Sequence, residues 1–284
     1  MSATRWSPTA RTTVVGVIGD PVAHSLSPLL HNTAFAALGL DWVSVGFHVG
    51  SNRGTAAVSG MRVLGIAGLS VTMPHKESVV ADCDRLSAVA ARLDAVNCLV
   101  TEKTSIVGHN TDGAGLLASL ARSCGFDAAG ARCAVVGAGG AARAVVLALA
   151  GAGAEEVVVV NRTSENARRA AALAGAKGRV GVASDIAACD LVVNATPAGM
   201  GETALAGSTP SLHFEDLHAG QVVADLVYYP RETPLLAAAR EAGATAVGGL
   251  GMLVHQAALQ LAIWTHEEPP LEELRRAAEA ATGE

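Results

Sequence analysis

The segment CAVVGAGGAARAVVLAL, residues 133–149, constrains the fold of this chain more than any other. An apolar run rich in valine stops at Gly137, and an Ala/Val/Leu stretch of helical period follows almost at once. A strand turning into a helix over so few residues leaves Gly137-x-Gly139-x-x-Ala142 at the turn. In that spacing the first glycine permits the tight turn, the second lets main chain approach a pyrophosphate, and the small third residue allows close helix–strand packing. The helix N-terminus then faces the anion with unpaired N–H groups and the positive end of its dipole. In a chain with 31 glycines, a plain tight turn would show the same triplet.

The end of the next strand narrows the choice. VVVVNRT places Asn161, Arg162 and Thr163 where an NAD-binding unit carries a carboxylate for the ribose diol. The guanidinium of Arg162 can fork onto a 2′-phosphate and Thr163 can add a hydroxyl, so the expected cofactor is NADP. The plainer alternative makes Arg162 a solvated loop residue and Asn161 a turn former.

Short β-branched runs alternate with longer helical segments along the whole chain, which predicts βαβ units and a mostly parallel sheet. In the first half the pattern gives strands over 13–18, 42–47 and 67–71, and helices over 28–38 and 55–63. Two short helices are expected near 74–80 and 86–93, then a strand pair over 97–101 and 105–109. A helix over 113–124 leads to strands over 133–136, 157–160, 191–194, 222–225 and 245–247. An apolar helix over 252–265 and a charged one from Leu271 close the chain. The expected fold is α/β with two α/β domains. Residues 1–112 form a substrate-binding catalytic domain with a mostly parallel sheet, residues 113–248 form a Rossmann-type NADP domain, and the helices of 249–284 return to the first domain.

Composition excludes several classes. The formal net charge is −6 with Lys and Arg scattered, so no basic stripe exists to neutralise a nucleic-acid backbone. Five cysteines lie far apart without a CxxC pair, which fits a reducing, cytoplasmic setting and neither a disulfide framework nor a zinc site. No HExxH or carboxylate-flanked histidine cluster occurs, so no metal is expected. The N-terminal residues MSATRWSPTARTT are acid-free like a transit peptide, yet the apolar run after them stops at Gly19-Asp20, too short for a signal sequence. The apolar run 144–154 is also shorter than a bilayer span, and no membrane partner is expected. A homodimer is compatible with the sequence, which does not set the oligomeric state.

Candidate substrate residues gather where strands give way to helices. In GDPVAHSLSPLLHNTAF, Ser27 reads as an N-cap with Pro28 at the first helical position and Ser25 just outside. Two hydroxyls at a helix N-terminus suit a carboxylate or ring hydroxyls; capping and turning alone would also explain them. SVTMPHK puts Thr72 and Lys76 at the carboxyl edge of a strand, where open α/β sheets bind ligands. Lysine is otherwise scarce, which makes Lys76 informative, although a solvated lysine fits as well. Asp112 in GHNTDGAG stands at another strand-to-helix junction, where it could simply cap. Taken together, hydroxyls, an ammonium and a carboxylate beside a dinucleotide lobe suit the reduction of a ketone. Lys76 could supply the proton and Asp112 could hold the ammonium or share the transfer.

GDPVAHSLSPLLHN, SVTMPHK, AVNCLV, HNTDGAG, VVGAGGAARA, NRT, NATPAGM and GMLVHQA follow one another along nearly the whole chain, and in this order the sequence resembles the shikimate dehydrogenases. The resemblance implies NADPH-dependent reduction of 3-dehydroshikimate to shikimate, a step of aromatic amino-acid biosynthesis. It assigns Ser25 and Ser27 to the substrate carboxylate, Thr72, Asn97 and Gln256 to its hydroxyls, Lys76 and Asp112 to catalysis, and Tyr228 to the pocket wall. It assigns Gly137, Ala138, Gly139, Gly140 and Ala141, with Asn161, Arg162 and Thr163, to the cofactor, and Leu226 and Gly249 to the nicotinamide end. The two-serine form of the SLS motif resembles the shikimate-selective branch rather than the quinate-using relatives.

Two positions depart from the family pattern. A second arginine is frequent three residues beyond NRT, where this chain has Asn166, and Arg168 or Arg169 stands about one helical turn away. The usual Asn after the pocket tyrosine is Tyr229. The alternatives are a quinate/shikimate dehydrogenase of mixed NAD and NADP use, and a non-catalytic NADP-binding sensor, against which the presence of both Lys76 and Asp112 argues.

Overall fold

The computed structural model describes residues 7–200 and 214–283, and the chain divides into two compact units. The first unit comprises residues 1–110 and 257–281, and the second residues 111–256 with the last three. Residues 1–6 of the acid-free N-terminal segment lie outside the described residues.

The first unit runs β1 (Thr13–Gly19), α1 (Ser27–Leu38), β2 (Trp42–His48), α2 (Gly54–Leu64), β3 (Gly68–Val71), β4 (Arg85–Leu86), α3 (Ala88–Leu93), β5 (Cys98–Glu102) and β6 (Ser105–His109). Its sheet has the order β2-β1-β3-β5-β6-β4, with β1 parallel to β2 and β3, β4 parallel to β6, and β5 antiparallel to both neighbours. The antiparallel strand arises because only Lys103 and Thr104 separate β5 from β6, too few residues for a crossover.

The second unit runs α4 (Asp112–Cys124), β7 (Arg132–Val136), α5 (Gly140–Gly151), β8 (Glu156–Val160), α6 (Ser164–Ala171), β9 (Gly178–Val180), β10 (Leu191–Asn194), β11 (Val222–Asp225), α7 (Pro234–Glu241) and β12 (Thr245–Val247). The sheet order is β12-β11-β10-β7-β8-β9 with every pairing parallel, the doubly wound arrangement of a dinucleotide domain. Both faces are covered. In β8, Val157 and Val159 belong to one apolar cluster and Val158 and Val160 to the other, so the strand reads as an unbroken apolar run.

Helix α8 (Leu250–Thr265) starts in the second unit and continues into the first, where α9 (Leu271–Ala281) packs on α1. Within the first unit, Trp264 occupies the space over Gly68, where a Cβ would lie 2.4 Å from the indole nitrogen. Its Nε1 donates to the Leu99 carbonyl at 2.9 Å, and Gln260 Nε2 donates to the Asn97 carbonyl at 3.1 Å. The C-terminal helices therefore complete the first fold unit.

Several local expectations change. The chain crosses between units at 110/111 and 256/257, so Asp112 and the first half of α8 count with the second unit rather than the first. Residues 74–80 form turns instead of a helix, with a 3-10 turn over Val80–Asp82, because the Lys76 carbonyl is taken by the Val96 N–H and the Val80 N–H turns back to Glu77. The helix expected over 86–93 starts at Ala88, since Ser87 Oγ accepts from the Ala90 N–H at 3.2 Å and caps it there. Ser27 is not an N-cap: it is the first residue of α1, and Ser25 Oγ accepts its N–H at 3.3 Å. Among the described residues no helix is long and apolar enough to cross a membrane, and no group of three or more His, Cys, Asp or Glu side chains could hold a metal ion.

His31 on α1 is fully buried, packs edge-on against Trp264 with ring centroids 4.8 Å apart, and shares a 3.0 Å hydrogen bond with Ser44 Oγ. Burial pushes its pKa down to about 3, against the opposing hydrogen bond from Gln260. The unfolded chain thus takes up a proton near 6.5 that the folded chain refuses until about 3. Stability from this group is fully present above 6.5 and is lost as pH falls through that window. Trp42 and Trp264 both lie in the first unit and report its unfolding. The urea midpoint of that unit should fall on acidification, with His31 contributing up to about 1.4 kcal/mol per pH unit, and His31→Gln should flatten that limb. Parallel limbs for the two proteins would remove His31 as the cause.

Candidate functional site

In the first unit, main-chain bonds set Thr72, Lys76 and Asn97 along one sheet edge. The Thr72 N–H donates to Ile18 at the end of β1, the Val71 N–H donates to Asn97, and the Val96 N–H donates to Lys76, at 3.0, 2.8 and 2.7 Å. Asn97 is placed here because β5 runs antiparallel to β3, so its start meets the end of β3. Asn97 is 1% exposed, whereas Thr72 and Lys76 are half-buried. Ser25 and Ser27 follow β1 on the turn into α1, Ser25 half-buried and Ser27 buried. In the first turn of α1 the Ser27 N–H is taken by Ser25 Oγ and Pro28 has none, so what this end offers an anion is the two hydroxyls and the positive end of the helix dipole.

Three supporting residues escaped the sequence reading. His75 is fully buried and donates from Nε2 to the Val49 carbonyl at 2.7 Å, fixing the turn that carries Lys76. Gln260 and Trp264 brace β5 from α8, as described above. Polar side chains interrupting the apolar run LVHQAALQLAIWT were the available signal.

In the second unit, Asp112 is the first residue of α4 and is 5% exposed; capping does not account for it, since the helix begins at Asp112 itself. Gln256, 8% exposed, lies beside the same helix end: Thr111 Oγ donates to its carbonyl at 3.2 Å, and a Cβ on Gly115 would sit 2.8 Å from it. Asp112 and Gln256 therefore flank one helix N-terminus, whose dipole favours a carboxylate there.

The dinucleotide turn has the geometry its spacing requires. Gly137 takes φ +114° and lies against the Ala195 main chain, where a Cβ would be 3.0 Å from the carbonyl oxygen. That contact joins the ends of β7 and β10, the point where the strand order reverses and where open α/β sheets hold nucleotides. Gly139 precedes α5 with open space where a Cβ would project, and no side chain caps the helix. The N–H groups of Gly140 and Ala141 stand in the first turn of this helix, beside the half-buried Ala138, a geometry suited to an anion. At the end of β8, Asn161 Nδ2 donates to the Thr163 carbonyl at 3.0 Å, and this turn leaves Arg162 and Thr163 exposed. Arg168 is engaged by Glu165 at 3.3 Å, and Asn166 and Arg169 are exposed. These features fit a dinucleotide with a 2′-phosphate.

Beyond β11, Gly249 lies so close to Leu226 that a Cβ would be 2.3 Å from its carbonyl oxygen, and the Gly249 N–H donates to Val227 at 3.2 Å. Gly249 thus packs on the turn that carries Leu226 and Tyr228. Tyr228 is half-buried, which pushes its phenol pKa up, whereas Tyr229 is 61% exposed. A buried polar network that the sequence reading did not assign underlies this turn. Asp225, 1% exposed, accepts from Asn194 Nδ2 at 2.9 Å, the Val227 N–H at 3.1 Å and Thr233 Oγ at 2.7 Å. Burial pushes its carboxyl pKa up, against those three hydrogen bonds. Its signal was a polar residue closing each of two apolar strands, at Asn194 and Asp225.

The comparisons with known proteins cover both units. A profile of the shikimate dehydrogenase substrate-binding domain matches residues 17–99, one for shikimate / quinate 5-dehydrogenase matches residues 119–201, and one for the shikimate 5′-dehydrogenase C-terminal domain matches residues 249–279. The chain is 45% identical over 278 residues to a shikimate dehydrogenase (NADP+) of Methanopyrus kandleri, covering 94% of this chain and 95% of that one. A crystal structure of a shikimate dehydrogenase in complex with NADP+ superposes with a TM-score of 0.92 at 35% identity, covering 98% of each chain. A Thermus thermophilus shikimate 5-dehydrogenase in complex with NADP(H) and shikimate superposes with a TM-score of 0.88 at 34% identity, covering 95% of this chain and 99% of that one.

Gly137→Ala tests the turn. An L side chain at φ +114° against the Ala195 carbonyl should cost about 1–2 kcal/mol, read as a lowered thermal midpoint of the second unit. An unchanged midpoint would show that the backbone there relaxes freely.

Proposed function

The chain belongs to the shikimate dehydrogenase family, and from that premise we propose that it interconverts 3-dehydroshikimate and shikimate with NADPH and NADP as the redox pair. The observation that carries this reading is the set of main-chain bonds aligning Thr72, Lys76 and Asn97 on one strand edge. It supports a reading in which Lys76 works beside Thr72 and Asn97, as a polyhydroxylated ketone requires.

NADPH, when bound, supplies the hydride. The chain's own residues bind, orient and move a proton. Ser25 and Ser27 donate hydroxyls to the ring carboxylate beside the N-terminus of α1, whose dipole favours it. Thr72, Asn97 and Gln256 hold ring hydroxyls. Lys76 gives a proton from its ammonium to the carbonyl oxygen as that oxygen becomes an alcohol, and in the reverse direction its neutral amine takes the proton back. Asp112 shares the proton-transfer chemistry, and Tyr228 shapes the pocket wall. Gly137, Ala138, Gly139, Gly140 and Ala141 receive the pyrophosphate, Asn161, Arg162 and Thr163 the adenosine 2′-phosphate, and Leu226 and Gly249 the nicotinamide end. The five free thiols fit a cytoplasmic enzyme, and a net charge of −6 fits small-molecule partners rather than nucleic acid.

The direct test follows NADP reduction by absorbance with shikimate as substrate and quinate as control. Turnover should require shikimate, and equal rates with quinate would favour a broader ring-acid dehydrogenase. Lys76→Ala should lower kcat by about a hundredfold or more while leaving NADP affinity nearly unchanged; retained turnover would refute its role. Arg162→Asp should weaken NADP far more than NAD, because a phosphate partner becomes a repelling charge. Equal loss for both cofactors would count against the 2′-phosphate assignment.

A further inference from the structure

Asp225 has no place in the chemistry just described, yet it is among the most buried ionisable groups of the second unit, at 1% exposed. Its three hydrogen-bond partners among the described residues are donors. Asn194 Nδ2 and the Val227 N–H can only donate, and Thr233 Oγ, which accepts from the Leu236 N–H at 3.3 Å, donates to Asp225 Oδ2 at 2.7 Å. Three donors converging on its two oxygens favour the ionised carboxylate, which burial opposes.

The network joins two loops at the carboxyl edge of the sheet. On one side, Asn194 Oδ1 accepts from the Thr196 N–H at 3.1 Å and Thr196 Oγ at 2.7 Å, and Thr196 Oγ accepts from the Ala198 N–H at 3.3 Å, shaping the loop after β10. On the other side, the Val227 N–H is held down on Asp225 Oδ1 while the Val227 carbonyl accepts from Gly249. The main chain of Leu226 and Val227 is thereby pinned on both sides. Thr233, which caps α7, fixes where the excursion from β11 must end.

We propose that Asp225 is a positioning residue: its buried carboxylate holds the Leu226–Tyr228 turn in the one conformation that seats the nicotinamide end of the cofactor. This rests on the assignment of Leu226 and Gly249 to that end. The carboxylate touches neither cofactor nor substrate in this scheme, and it acts through the Val227 amide alone.

The test separates the two ends of the cofactor. Binding of 2′,5′-ADP, which lacks the nicotinamide, and of NADPH, followed by its own fluorescence, are measured alongside kcat for wild type, Asp225→Asn and Leu226→Ala. In Asp225→Asn the Kd of 2′,5′-ADP should stay within about twofold, while NADPH binds more weakly with altered emission and kcat falls about tenfold or more, the scale of a misplaced reactant. Should Asp225→Asn fail to fold, Thr233→Val removes the Oδ2 donor with little change of shape and should show the same split, with Thr233→Ser restoring it. Unchanged NADPH emission and kcat in a folded Asp225→Asn, or in Thr233→Val, would overturn the proposal. A parallel loss of 2′,5′-ADP and NADPH binding would overturn it too, since that marks a general structural defect. If Leu226→Ala is also silent, the assignment of this turn to the nicotinamide fails; if Leu226→Ala alone has an effect, the positioning role fails.

Discussion

A parallel strand covered on both faces has no room for an unpaired polar side chain along its length, so polarity is displaced to the residue where the strand stops. In the second unit β8 carries Val157 to Val160 and is followed by Asn161, Arg162 and Thr163; β10 closes on Asn194 and β11 on Asp225. Because every pairing is parallel, these ends fall on one edge of the sheet. The constraint that builds the core thus also builds the binding edge. In the first unit one antiparallel strand achieves the same result from the opposite direction: β5 begins where β3 ends, and Asn97 arrives beside Thr72.

The material of the core suits this plan. Aromatic residues make up only 3% of the chain, and the fully buried part of the two clusters flanking the second sheet is Ala, Val, Leu, Ile, Cys and Met. Small side chains let helices and strands approach closely, which is what a glycine turn needs if main chain is to meet a phosphate. The first unit departs from the pattern at Trp264, whose indole fills the space over Gly68 and is met by His31. Its neighbour Gln260, one turn away on α8, is bound to the Asn97 carbonyl, so one helix face carries both a packing device and the brace of a candidate binding residue.

What the sequence discloses and what it hides follow from the range of the interactions involved. Periodicity and turn chemistry are local, so the strands of both sheets and the turn at Gly137 were legible, as was the order of site-bearing junctions. The short segment 74–80 reads as a helix in sequence because a proline followed by polar residues can open a helix or a string of turns, and the choice is made by the distant Val96 N–H, which takes the Lys76 carbonyl. Ser27 was misread for a related reason. A serine before proline suits a cap, but the neighbouring Ser25 hydroxyl reaches its amide first. The brace from Gln260 to Asn97 spans a sequence separation of 163 residues, and no local pattern encodes such a pairing. The Asp225 network lay between these extremes: its members were visible as polar ends of apolar strands, but their mutual bonding belongs to the folded sheet.

That network also explains why a costly group would be retained. Removing a carboxylate from water is unfavourable, and an apolar side chain of similar volume would fill the space at Asp225 without that penalty. It would, however, leave the Asn194 amide, the Val227 N–H and the Thr233 hydroxyl buried without an acceptor, each carrying its own desolvation penalty. The four groups can only be exchanged together, and such an exchange would release Val227 from β11. A buried carboxylate with three donors therefore fixes a main-chain conformation that packing alone would leave with alternatives.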